Sequence, residues 1–152
     1  MKQELVLELF DRYADTAYRV ALSYLRSPQA AEDAVQTVFL HLLERELTVY
    51  AGKERAFITT LTVNHCKNQL RAQKRHAQLP LEDYDPPADG DAREVWRAVM
   101  ALPEKYREAV VLCCIEGYTM PEAAQLLHIG VSAVSMRLHR ARSILKNQLG
   151  RN

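Results

Sequence analysis

The sequence predicts an all-α protein of two small helical domains, joined by an acidic linker that contains proline and glycine. Apolar residues recur at intervals of three and four through most of the 152 residues, which is the spacing of amphipathic helices. Residues 79–91, LPLEDYDPPADGD, hold two adjacent prolines and five acids without periodicity, as expected of a linker. A short capped segment at 119–127 and a second helical stretch at 131–147 predict a helix-turn-helix in the C-terminal domain.

Three helices are predicted in residues 1–78, the N-terminal domain. The first covers residues 3–26, where apolar side chains follow helical spacing. The second begins at Pro28, because Ser27 is a suitable N-cap and proline is tolerated at the first helical position. A third is predicted at about 54–76, after a glycine that interrupts the pattern.

The linker is predicted at residues 79–92 and the C-terminal domain at residues 93–152. A helix is predicted at roughly 92–101, at the start of this domain. A second helix is predicted to begin after the Leu-Pro dipeptide at residues 102–103. The segment 104–117 ends at Gly117, a residue type that commonly terminates helices.

The helix-turn-helix is predicted from its caps. Thr119 and Glu122 have the spacing of a capping box and predict a short helix over Met120–Leu127. Gly130 is an acceptable N-cap for the next helix. A start one or two residues later, capped by Ser132, is the alternative.

Composition favours a non-secreted protein that is not an enzyme. Apolar content of 48% and charged content of 26% are ordinary for a globular protein. No apolar run is long enough to span a membrane, and the N-terminal MKQELVLELF has acids where a secretory signal would be apolar. The three cysteines lack metal-ligand spacing, which favours buried thiols in a reducing cytoplasm. No metal, cofactor, small-molecule substrate or catalytic arrangement is indicated.

Charge is distributed unevenly although the net charge is only +1. Residues 53–80 hold six Lys/Arg and one Asp/Glu, and residues 123–152 hold five and none. Between them, residues 81–94 hold one Lys/Arg and six Asp/Glu. Two separate basic segments indicate phosphate binding at two places.

The predicted helix at 131–147 has one narrow apolar stripe, formed by Val131, Val134, Leu138, Ala141 and Leu145. Met136 and Arg140 lie opposite this stripe, and Arg137 and His139 flank it. Such a face suits the DNA major groove, where arginine can donate two hydrogen bonds to guanine and flanking cations can hold phosphates. A solvated face of an ordinary bundle helix is the alternative interpretation.

The basic end of the third helix also carries a polar face. Asn64, Lys67, Asn68 and Arg71 are three and four residues apart and therefore lie on one side. Amides and cations together suit the bases and phosphates of separated strands. Alternatively, the cations only complement the negative end of the helix dipole.

The segment AEDAVQTVFLHLLER at 31–45 has apolar residues on more than one face. This distribution indicates burial on two sides, one of which could be a partner protein. A plain core helix explains the same pattern.

Taken together, these segments resemble the extracytoplasmic-function group of bacterial RNA polymerase sigma factors, and the resemblance covers nearly the whole chain. Residues 31–45 resemble the helix by which the family binds the polymerase clamp. FITTLTVNHCKNQLRAQKR, residues 57–75, is similar to the segment that reads the minus-ten element. The elements LP…REAVVL…EGYT..EAA and V..RL.RAR..L, within residues 102–145, resemble the domain that binds the minus-thirty-five element.

The resemblance implies a function and a set of site residues. It implies a sigma factor that binds core RNA polymerase and promoter DNA, directs transcription initiation, and is held inactive by an anti-sigma factor. Polymerase binding is expected at Asp33, Gln36 and Phe39, and minus-ten binding at Asn64, Lys67, Asn68 and Arg71. Minus-thirty-five bases are expected at Ser135, Met136, His139 and Arg140, with phosphates at Arg137 and Arg142. The chain departs from the family at three positions: relatives often have Trp where it has Phe57, another aromatic residue where it has Thr59, and Asp where it has Asn68.

Two rival functions explain parts of the sequence. A helix-turn-helix regulator that acts without polymerase accounts for residues 93–152 but leaves residues 28–76 unexplained. A helical adaptor that binds only proteins accounts for the helices but not for the two basic segments.

Overall fold

The computed structural model describes residues 1–75 and 90–150, and these residues form helices joined by short turns. No strand occurs in these two ranges. The helices are α1 (Gln3–Leu25), α2 (Pro28–Glu44), α3 (Glu54–Arg75), α4 (Gly90–Met100), α5 (Glu104–Val110), a π-helical turn (Val111–Ile115), α6 (Met120–Leu127) and α7 (Val131–Gln148). Contacts within the chain divide it into two compact units, Met1–Glu82 and Asp83–Asn152. The predicted all-α architecture of two small domains is confirmed.

Most of the predicted linker, residues 79–89, lies outside the described residues, as does His76 at the predicted end of the third helix. The helix predicted at roughly 92–101 begins earlier, at Gly90, within the segment predicted as linker. Asp91 in its first turn explains the early start, since a carboxylate there complements the positive end of the helix dipole.

The N-terminal unit is a three-helix arrangement in which α1 packs against α2 and α3. Its core contains Val6, Leu9, Ala17, Val35, Phe39, Leu42 and Ile58. The predicted start of α2 is confirmed: the Ser27 hydroxyl accepts a hydrogen bond from the Ala30 amide at 3.2 Å, and Pro28 is the first helical residue. Because α1 packs against both other helices, the sides of α2 and α3 that face away from α1 are exposed.

The C-terminal unit packs α7 against α4, α5 and α6. Val99, Leu102, Val110, Val111 and Ala141 form its core. The sequence predicted one helix within 104–117, but the α-helix widens into the π-helical turn after Val110. Here the Glu116 amide donates to the Val111 carbonyl at 2.8 Å, and Gly117 ends the segment with a φ of +80°.

The helix-turn-helix has the predicted caps. The Glu122 amide donates to the Thr119 hydroxyl at 3.2 Å, and the Glu122 carboxylate accepts from the Thr119 amide at 2.9 Å. His128 turns the chain in the left-handed region, with a φ of +57°. The next helix begins at Val131 after Gly130, so the alternative start capped by Ser132 is not adopted.

Candidate nucleic-acid interface

The buried side of α7 agrees with most of the predicted stripe. Val134 and Ala141 are fully buried, and Leu138 and Leu145 are half-buried. Val131 departs from the prediction, because its side chain is 44% exposed. The stripe therefore packs α7 from its second turn onward and leaves the first residue of the helix at the surface.

The outward side of α7 presents most of the residues expected to contact DNA. Ser135, Met136, His139 and Arg140 are all exposed, and so is Arg142. Hydroxyl, thioether, imidazole and guanidinium groups together can contact base edges and phosphates. The structure thus brings the predicted base-facing residues onto one accessible surface.

Arg140 is held by a residue from outside its own helix. Its Nη1 donates to the Tyr106 hydroxyl of α5 at 3.4 Å. This hydrogen bond is the largest cause of a lowered pKa of the Tyr106 hydroxyl, and the nearby Lys105 acts in the same direction. The Lys105 Nζ lies 5.2 Å from the centre of the Tyr106 ring. Lys105 therefore adds a cation next to Arg140, which the sequence analysis did not identify.

Arg137 is placed differently from the other arginines of α7. Its Nη1 lies 3.4 Å from Oε2 of Glu108, with side-chain exposures of 25% for Arg137 and 4% for Glu108. A nearly buried carboxylate needs a charged or hydrogen-bonding partner, because burial removes its hydration. Arg137, expected at a phosphate, thus uses part of its guanidinium to fix α7 on α5. Sequence spacing could not reveal a partner 29 residues away.

The expected minus-ten residues share one side of α3. Asn64, Asn68 and Arg71 are exposed, and Lys67 is half-buried. The Arg71 Nη1 donates to Oδ1 of Asn68 at 3.1 Å. This bond orders the Arg71 guanidinium beside the Asn68 amide, so that cations and side-chain amides alternate along one polar face.

The opposite side of α3 is structural. Thr59 and Cys66 are fully buried, and Phe57 packs against the N-terminal core. Burial raises the pKa of the Cys66 thiol to about 12, so it stays protonated and unreactive. In residues 1–75 and 90–150, no group of three or more His, Cys, Asp or Glu side chains could hold a metal ion. Thr59, where relatives often have an aromatic residue, faces the core.

The expected polymerase-binding residues of α2 divide into two sets. Asp33 and Gln36 are exposed, and the Asp33 carboxylate accepts a hydrogen bond from the side-chain Nε2 of Gln29 at 3.0 Å. Phe39 is only 5% exposed and packs edge-on against Phe10, with ring centres 5.1 Å apart. Its ring is therefore part of the core in this structure, and direct contact with the polymerase through Phe39 stays a prediction.

Sequence reasoning missed two exposed leucines on α2. Leu40 and Leu43 are large apolar residues at the surface, and they continue the row of Asp33 and Gln36 at spacings of three and four. Their apolar spacing was visible in the sequence, but it was indistinguishable from that of a core helix.

No helix in residues 1–75 or 90–150 combines the length and the apolar character needed to cross a lipid bilayer. The described units instead carry a helix-turn-helix with an exposed basic face and a second polar helix face. These features define the class as a two-domain, all-helical protein that binds DNA.

Comparison with known proteins identifies the family. Residues 9–76 match the family model "Sigma-70 region 2", and residues 92–145 match "Sigma-70, region 4". The chain is 33% identical over 149 residues to the ECF RNA polymerase sigma factor SigM of Mycobacterium tuberculosis, covering 94% of this chain and 76% of that protein. It is 29% identical to the RNA polymerase sigma factor CarQ of Myxococcus xanthus, covering 97% and 91%.

The fold is also that of two solved structures, one of which is a sigma factor. This one is the sigma factor RpoE in complex with the anti-sigma factor NepR from Bartonella quintana. The two chains superpose with a TM-score of 0.75 at 23% sequence identity, and the match covers 97% of this chain and 95% of RpoE. CnrH, solved with the cytosolic domain of CnrY, has a TM-score of 0.68 at 24% identity, with 98% and 90% covered.

The chain belongs to the extracytoplasmic-function group of RNA polymerase sigma factors. It binds core RNA polymerase and directs promoter-specific transcription initiation. A regulator that acts without polymerase is not favoured, because the region 2 match covers the part of the chain that such a regulator leaves unexplained.

Proposed function

We propose that this sigma factor holds promoter DNA at two separate places, through α3 at the minus-ten element and through α7 at the minus-thirty-five element. In this proposal residues 1–78 form the polymerase and minus-ten domain, and residues 93–152 form the minus-thirty-five domain. The observation that carries it is that each unit presents an exposed polar helix face within a segment of net charge +5. Residues 53–80 contain six Lys/Arg and one Asp/Glu, and residues 123–152 contain five Lys/Arg and no Asp/Glu.

The α3 face acts on separated strands. The exposed amides of Asn64 and Asn68 can hydrogen-bond to unpaired base edges, and Lys67 and Arg71 can neutralise the backbone. Because Asn68 already accepts a hydrogen bond from Arg71, the guanidinium is oriented before the strand binds.

The α7 face acts on the duplex. Ser135, Met136, His139 and Arg140 reach base edges in the major groove, and the exposed Arg142 reaches a phosphate. Arg137 differs in role from the original expectation. Its pairing with Glu108 makes it a positioning residue that fixes the helix which reads the DNA.

The outer side of α2 binds the polymerase. Asp33 and Gln36 supply polar contacts, and Leu40 and Leu43 supply apolar contacts on the same side of the helix. A mixed surface of this kind is typical of protein interfaces. Phe39 supports the surface from the core through its contact with Phe10.

The acidic segment 79–91 joins the two DNA-binding domains, and its five carboxylates imitate nucleic acid in a polymerase channel that normally holds phosphates. An anti-sigma factor is the proposed regulatory partner, as NepR is for the related RpoE. The chain is proposed to act in the cytoplasm, beside the polymerase, and to have no catalytic activity of its own.

Run-off transcription with core polymerase tests the proposal. Arg71→Ala and Arg140→Ala should each reduce the product severalfold, because each removes a cation from one DNA-binding face. Arg12→Ala is the matched control, since Arg12 is an exposed arginine of α1 that pairs with Glu8 of the same helix, at 3.8 Å. Equal activity of all three variants would contradict the assignment of both faces.

Association with core polymerase tests the α2 surface separately. Asp33→Lys should weaken co-purification, because it reverses the one charge among the four residues of the proposed contact. Glu8→Lys makes the same change on an exposed residue of α1 and should leave association intact. If both variants co-purify as the natural chain does, the polymerase does not contact this part of α2.

A further inference from the structure

Three large apolar side chains are exposed together on the DNA-facing side of the helix-turn-helix. Met120 at the start of α6 is 40% exposed, Val131 at the start of α7 is 44% exposed, and Met136 is 53% exposed. They line one shallow depression of about 650 Å³, together with Ser132, Ser135 and His139. Scattered apolar residues on a surface are ordinary, but a grouped set in one depression marks a contact site.

The surroundings of this depression indicate nucleic acid as its occupant. Arg140 and Arg142 lie on the following turns of α7, and residues 123–150 contain no acid. A cationic border complements the phosphates on either side of a DNA groove. The apolar centre then has to contact the floor of the groove.

The chemistry of the major groove leaves one apolar partner for such side chains. Base edges there present hydrogen-bond donors and acceptors, and the only apolar group among them is the C5-methyl of thymine. Methionine is flexible and polarisable, and it adapts its shape to a small apolar group. Serine hydroxyls can either donate or accept, so Ser132 and Ser135 are compatible with an adjacent T·A pair.

We propose that Met136 and Val131, with Met120 beside them, read the C5-methyl groups of thymines in the upstream promoter element. This inference rests on the proposed function of α7. It adds that the apolar side chains of the depression select thymine. Burial of one methyl corresponds to roughly a fourfold gain in affinity. Thymine is therefore preferred over cytosine, and over uracil, at the positions that these side chains contact.

Replacement of thymine by deoxyuridine tests the proposal, because it removes the methyl group and leaves every hydrogen bond intact. A duplex that the holoenzyme binds tightly is first selected from a pool randomised upstream of a fixed minus-ten region. Each thymine of the selected upstream element is then replaced singly by deoxyuridine. We expect about a fourfold loss of affinity at one or two positions and no loss at the others.

Variants assign the effect to the side chains. Met136→Ala and Val131→Ala should each bind natural DNA more weakly and lose the discrimination between thymine and uracil at one position. Ile115→Ala is the matched control, because Ile115 is 52% exposed in the same unit but does not line the depression. This control should keep the full discrimination. All three changes are at the surface, and thermal unfolding verifies that each variant is folded.

The outcomes separate this inference from the proposed function. If the holoenzyme initiates at a defined site and no thymine responds to deoxyuridine, the thymine reading is wrong while the sigma function stands. That result would leave the depression for a protein partner such as an anti-sigma factor. Discrimination that persists in the Met136→Ala/Val131→Ala double variant also overturns the assignment. If no upstream sequence is selected at all, the proposed role of α7 fails, and the inference fails with it.

Discussion

Arg137→Gln should destabilise the C-terminal unit while changing the electrostatics of DNA binding very little. The substitution removes a charged hydrogen bond, 3.4 Å long, to a carboxylate that is only 4% exposed. A hydrogen bond to a charged group contributes about 1.5–3 kcal/mol to stability. The expected loss lies in this range, and below the ~3–5 kcal/mol of a fully buried pair, because Arg137 is partly exposed and Glu108 has further interactions.

Urea unfolding monitored by tryptophan fluorescence measures this loss of stability in the C-terminal unit. The sequence contains a single tryptophan, Trp96, and it lies in α4 of the C-terminal unit. Its signal therefore reports the unfolding of that unit even if the two units unfold separately. The Glu108→Gln/Arg137→Gln double variant should be less destabilised than the sum of its single variants, because the two residues are in contact.

Salt titration of DNA binding supplies the second measurement. Each phosphate contact contributes about 0.9 to the slope of the logarithm of affinity against the logarithm of salt concentration. Arg142→Gln should lower this slope by about that amount, whereas Arg137→Gln should leave it nearly unchanged. The reasoning is refuted if Arg137→Gln unfolds with the same free energy as the unsubstituted protein and lowers the salt slope as much as Arg142→Gln does. Arg137 would then be a phosphate contact.

Four further predictions concern Arg140, His128 and the cysteines. Arg140→Ala should weaken binding to the selected upstream duplex by about 1–3 kcal/mol and relax the preference at one base pair; equal weakening on every sequence would mark a phosphate contact instead. His128→Gly should raise the unfolding free energy measured through Trp96 by about 0.5–1 kcal/mol, because the left-handed φ of +57° is unfavourable for histidine. Unchanged or lower stability would contradict this reason. Cys114 should react with a thiol reagent in the native protein, whereas the buried Cys66 should react only after unfolding. Because burial raises the pKa of Cys66 from 9.0 to about 12, its contribution to stability is complete below pH 9 and is lost as the pH rises towards 12, and Cys66→Ala should remove that part of the pH dependence.

Local signals in the sequence were sufficient for the helices and their caps. The Ser27 cap and the Thr119–Glu122 capping box depend on residues within one turn, and both occur as predicted. The π-helical turn at Val111–Ile115 was not predictable, because five apolar or thiol side chains give no period that separates it from an α-helix. The early start of α4 was hidden by the acidic composition of the linker.

The sequence could not predict which residues of the candidate site are buried by packing between helices. The spacing of polar residues correctly placed Asn64, Asn68 and Arg71 on one accessible side of α3. Spacing alone did not show that Phe39 is enclosed by α1, because apolar residues lie on more than one side of α2. It also did not show that Arg137 turns towards Glu108, since charge pairing across 29 residues depends on how the helices pack.

In the proposed mode of DNA binding, the packing of α7 on α5 gives α5 a part in promoter selectivity. Arg137 and Arg140 are three positions apart, so their side chains leave α7 about 60° apart around the helix axis. Arg137 reaches the nearly buried Glu108 and Arg140 reaches the Tyr106 hydroxyl, and both partners lie on α5. Arg137 and Arg140, the arginine proposed to contact a base, are thus both held by one short helix before DNA binds. A side chain that is already ordered loses less conformational freedom on binding, so α5 strengthens base reading without having to contact a base.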